Sequence, residues 1–117
     1  MVPYQSETEI AEIVHGFETC ATPADDFKHQ DHLVVAIWYL QRMDQDAALD
    51  RMRTGLLRYL SHHGVDSAKY SDEITRFWID RVAASLTELG PETSLVDQCN
   101  SIAGAADFAR EIYVAER

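Results

Sequence analysis

His29-Gln30-Asp31-His32-Leu33-Val34-Val35-Ala36-Ile37-Trp38-Tyr39-Leu40-Gln41-Arg42 decides the fold of this chain. From Leu33 to Leu40 every residue is apolar, so a helix here has no solvent face and must be covered by neighbours on several sides. A buried strand is the competing reading, because Val34, Val35 and Ile37 are β-branched. The length of the stretch and the helical segments flanking it favour a central helix.

Working outward, Ser6-Glu7-Thr8-Glu9 forms a capping box, and Ile10, Ile13, Val14 and Phe17 follow at helical spacing. Helix 1 is therefore expected from about Glu7 to Cys20. Thr22-Pro23-Ala24-Asp25 is a second start signal that opens a single turn and redirects the chain. Beyond helix 2, Asp44 or Asp46 caps helix 3, whose stripe is Ala48, Leu49, Met52, Leu56, Tyr59 and Leu60, with Asp50, Arg51, Arg53 and Arg58 opposite. Gly64 marks its end. Helix 4 starts near Ser71 and stops at Gly90-Pro91, and Thr93 or Ser94 caps helix 5. A break at Ala103-Gly104-Ala105 precedes a last helical stretch from Ala106 to Ala115. The expectation is an all-α single domain, 1–117, built as an antiparallel bundle of about five helices with short connections.

Composition agrees. The 117 residues are 46% hydrophobic and 26% charged, as in an ordinary globular domain. Twenty acids against ten bases give a net charge of -10, which disfavours nucleic acid as a partner. The acid is concentrated in residues 1–50, at -8, against -2 for residues 51–117; that skew disfavours an anionic membrane surface. An apolar run of eight residues is too short to cross a bilayer. Met1-Val2-Pro3-Tyr4 leads into polar sequence without a secretory h-region, and Cys20 and Cys99 have neither CxxC nor zinc spacing. These features lead to an expectation of a cytoplasmic protein with free thiols.

Antiparallel helices place the end of helix 1, the start of helix 2, the end of helix 3 and the start of helix 4 at one pole. All five histidines, His15, His29, His32, His62 and His63, fall there, with Cys20, Tyr70, Ser71, Asp72 and Glu73. The opposite pole carries Arg42, Met43 and Asp44. His29 and His32, three apart, share a helical face and are candidate ligands for a divalent metal, with Asp72, Glu73, His62 or His63 as further donors. Each residue also has a plainer role. His62 and His63 suit a helix C-terminus, Asp72 and Glu73 suit a helix start, His15 suits the surface, and Trp38, Tyr39 and Trp78 suit the core. No GxSxG is present, and Cys20 closes a helix where the dipole does nothing to activate a thiol.

Pro23-Ala24-Asp25-Asp26-Phe27-Lys28-His29-Gln30-Asp31-His32-Leu33 and Lys69-Tyr70-Ser71-Asp72-Glu73-Ile74-Thr75-Arg76-Phe77-Trp78 resemble segments of a group of small bacterial all-helical proteins. That group shares a P-x-x-x-[FW]-x-H-x-x-H-L segment and a later Y-H-E-T-x-T segment, and the likeness spans about residues 23–80. The resemblance implies a common all-α fold and a common pocket, with His29, His32, Tyr70 and Thr75 at matching positions; it implies no reaction. Where the group has His-Glu-Thr, this chain has Ser71-Asp72-Glu73. If the missing histidine is a ligand or base, Asp72 or Glu73 must replace it or the activity has changed.

Two functional readings stand at this point. The leading one is a polar pocket at the His-rich pole, lined by His29, His32, Tyr70, Asp72 and His63. It would bind a small molecule or a divalent metal and use imidazole as general acid/base, in a stand-alone lyase, isomerase or hydrolase. The alternative is a non-catalytic helical interaction module, a homodimer whose apolar strip on helix 3 or 5 pairs with a second copy. Metal content and the dimensions of a pocket at this pole discriminate them.

Overall fold

The computed structural model describes residues 3–104, and the helical stretch expected over 106–115 lies outside them. Five α-helices form the described fold: α1 (Glu7–Glu18), α2 (His29–Arg42), α3 (Gln45–His62), α4 (Asp72–Leu89) and α5 (Leu95–Ile102). Single 3-10 turns at Ala24–Asp26 and Ser67–Lys69 lie between α1 and α2 and between α3 and α4. No strand occurs among the described residues. The all-α class expected from sequence is the observed one.

The all-round apolar stretch occupies the centre. Leu33, Val34, Val35, Ala36, Ile37 and Tyr39 are buried, and α2 packs against α1, α3, α4 and α5. At four helix starts the Ser6, Asp44, Ser71 and Ser94 side chains accept from the amides of Glu9, Ala47, Ile74 and Asp97, and at α1 this is the Ser6 half of the expected capping box. Each satisfies one of the amides that a helix start leaves unpaired. At the end of α3, Val65 N–H donates to the Leu60 carbonyl and Gly64 N–H to that of Ser61. With Gly64 at φ 70°, this is a Schellman closure, and the positive φ is why glycine stands there.

α1 ends differently. Thr19 is its C-cap, and the buried Cys20 takes a left-handed φ of 61°. The expected helix end at Cys20 therefore comes two residues too late. A non-glycine residue in that region carries a steric cost of roughly 1–2 kcal/mol, so sequence gives no warning of the turn. Gly55, in mid α3, lets the helix approach α1: a Cβ there would stand 2.7 Å from Phe17 Cε2.

The N-terminal segment is clasped to α5. Tyr4 N–H donates to Asn100 Oδ1 at 2.9 Å, and Asn100 Nδ2 donates back to the Tyr4 carbonyl at 2.8 Å. α5 buries Leu95, Cys99 and Ile102. Among the described residues the exposed large apolar side chains are Leu57 on α3 and Leu89 at the end of α4. The apolar strip anticipated on helix 3 or 5 thus reduces to Leu57, because α5 spends its apolar side on the core. No described helix is long and apolar enough to cross a membrane.

Candidate functional site

At the pole where α2 and α4 begin, a cleft of about 300 Å³ opens between α2, α3 and α4. Phe27, Leu33, Leu56, Trp78 and Ile79 contribute apolar wall, while Lys28, His29, His32, Lys69, Tyr70, Ser71 and Thr75 contribute polar atoms. These polar residues come from the start of α2, the 3-10 turn before α4, and the first turn of α4. An apolar cavity with a few convergent polar groups is the usual form of a small-molecule site, at the small end of the size range here.

The wall beneath His32 is aromatic. Phe27 stacks on Phe17 with centroids 5.0 Å apart and lies 5.2 Å from Tyr59. His32 meets the Phe27 ring edge-on at 4.5 Å. Tyr59 fixes the preceding chain by donating its hydroxyl to the Thr22 carbonyl at 2.5 Å. The cluster is the physical consequence of the turn at Ala24–Asp26, which folds Phe27 back over α1 and α3.

His32 Nδ1 lies 3.0 Å from the Lys28 carbonyl. A carbonyl only accepts, so Nδ1 carries a proton and, in the neutral ring, the basic lone pair belongs to Nε2. This defined tautomer suits a general base. His29, the first residue of α2, sits edge-on to the buried Trp78 ring at 4.7 Å.

Tyr70 closes the other side. Its hydroxyl donates to Asp72 Oδ1 at 2.9 Å, and Arg53 Nε donates to the same oxygen at 2.6 Å. Burial, followed by the effect of the Asp72 carboxylate, raises the Tyr70 pKa, so the phenol is a neutral donor at ordinary pH. Asp72 moves the opposite way: the Arg53 guanidinium, then the Tyr70 hydroxyl, hold its carboxyl below the usual range.

This geometry corrects the placement of Asp72. It does not line the cleft; its carboxylate is engaged by Arg53 and Tyr70, with Arg76 at 3.8 Å. Asp72 is bonded to Tyr70 from outside the lining and is not grouped with His29 and His32 as a set of metal donors. Among the described residues no group of three or more His, Cys, Asp and Glu is placed to hold a metal ion. The histidines divide as well: His29 and His32 line the cleft, whereas His15 and His62 are exposed. His63, also expected in the lining, instead lies tilted against the Tyr59 ring at 4.4 Å. Cys99 is fully buried, and burial pushes its thiol up to about 12, far from a reactive thiolate.

Sequence reasoning missed Arg53, set on the polar face of helix 3, and it missed both lysines. Arg53 was findable only through its pairing across α3 and α4, which periodicity does not report. Compared with protein-family models, with curated proteins and with solved structures, the chain gives no match.

The Asp72 contacts set an expected acid dependence. A carboxyl held low by folding contributes stability above its unfolded pKa, near 4, and that contribution is lost as pH falls through the folded value. Wild type should therefore lose stability relative to Asp72→Asn as pH drops from about 5 to 2. Urea unfolding of both proteins across that range measures it. Parallel stability curves would show that the Arg53–Asp72–Tyr70 contacts carry no weight in solution.

Proposed function

We propose that the chain binds a small molecule in the cleft between α2, α3 and α4 and acts on it by proton transfer. His32 Nε2 is the general acid/base, and the Tyr70 hydroxyl, whose proton goes to Asp72, offers its oxygen to the bound molecule as a hydrogen-bond acceptor. His29 contacts the bound molecule beside Trp78, and Asp72 positions Tyr70. Proton transfer at carbon or oxygen underlies the lyase, isomerase and hydrolase chemistries open to such a pair. The observation that carries the reading is the meeting of two imidazoles and a phenol, from two separate segments, on one apolar cleft.

A ligand-observed NMR screen with mixtures of small metabolites tests it. Compounds that bind wild type should lose binding in Trp78→Ala and His32→Ala, with the variants' circular dichroism verifying the fold. They should keep binding in Arg42→Ala and Asp44→Ala, which alter the opposite pole. Binding that survives the cleft substitutions and fails with the distal ones would refute the assignment.

A further inference from the structure

The chain has two lysines, Lys28 and Lys69, and both line this cleft. His29 and His32 lie in the same wall, and no Asp or Glu is among the described lining residues. For a chain with twenty acids and ten bases, a lining of that size drawn in proportion to composition would hold roughly two or three carboxylates. The cleft runs against the charge of the molecule that carries it.

The nearby acids, Asp31 and Asp72, stand outside the lining. Asp31 accepts from the Lys28 amide at 2.9 Å as part of the α2 start and also feels the Lys28 charge, which leaves Lys69 as the less compensated cation of the rim. Asp72 accepts from Arg53 and Tyr70. Neither lysine enters an ion pair among the described residues, where the salt bridges use Arg51, Arg53 and Arg76. Both lysines are exposed, while Leu33, Ala36, Trp78 and Ile79 deeper in the cleft are buried. Cations therefore sit at the rim and hydrocarbon lies below. The start of α4 adds little to this, because Ser71 already caps the Ile74 amide.

Resting on the reading of the cleft as the functional site, we infer that its ligand is a small organic carboxylate with an apolar body. The carboxylate lies at the Lys28–Lys69 rim, and the body lies against Trp78 and Leu56. A cavity of about 300 Å³ has room for a body of a ring or a short chain.

Paired probes of equal shape and different charge test the inference: benzoate with benzamide, and hexanoate with hexanamide. The readout is the Trp78 indole N–H and the His29 and His32 ring signals in NMR titrations at low ionic strength. Each carboxylate should bind about tenfold tighter than its amide and weaken with added salt. The Lys28→Gln/Lys69→Gln double variant should lose that tenfold preference while binding the amides as wild type does.

If amide and carboxylate bind equally, the anion inference fails and the pocket reading stands. Inorganic phosphate producing the same shifts at the same concentration would also overturn the inference, since no apolar recognition would then be involved. If none of the four organic probes moves the Trp78 signal, both readings fall together.

Discussion

Replacing Phe17 by alanine should cost about 3–5 kcal/mol of stability, the range for emptying a buried aromatic site. Phe17 is fully buried, stacked on Phe27 and 5.7 Å from Tyr59, with Gly55 against its ring edge. Collapse into the void is hindered because Tyr59 is tied to the Thr22 carbonyl. For a domain of this length the loss is a large share of the total. Denaturant midpoints measure it, with the exposed Leu57→Ala as a control expected within about 0.5 kcal/mol. A change below about 1 kcal/mol for Phe17→Ala would mean that the aromatic cluster is not packed as described. The same substitution removes the support beneath Phe27, so the His32 ring should also show increased mobility.

His32→Gln should lower turnover of a cleft substrate by about 10²–10⁴-fold, the usual contribution of a positioned general acid/base. The loss should fall on kcat, and the limb of the pH–rate profile set by the imidazole should disappear with it. Tyr70→Phe should reduce the rate while leaving that limb in place, because it removes a hydrogen-bonding oxygen and not the titrating group. A pH–rate profile unchanged by His32→Gln would assign the proton transfer elsewhere.

Local, strongly patterned features were legible in the sequence. The boundaries of α2 follow from an apolar run bracketed by polar residues, and α3 ends as Gly64 requires. The turn after Pro23 was readable from proline and acid in sequence order. The end of α1 was not, since it depends on Cys20 accepting a left-handed conformation inside the core. Topology alone brought the histidines to one pole, yet side-chain direction decided which two face the cleft. Pattern could not show that Asp72 turns to Arg53, because both are common surface residues and their meeting is a tertiary event. Counting charge by halves of the chain likewise hid that both lysines converge.

The central claim is a location: small molecules bind where α2, α3 and α4 open between Phe27 and Trp78. Crystals soaked with a general library of small organic fragments measure it directly. The account predicts bound fragments on the Trp78 face, within hydrogen-bond distance of His32 Nε2 or the Tyr70 hydroxyl. Fragments gathered elsewhere, with the cleft filled by the side chains of Leu56 and Ile74, would contradict it.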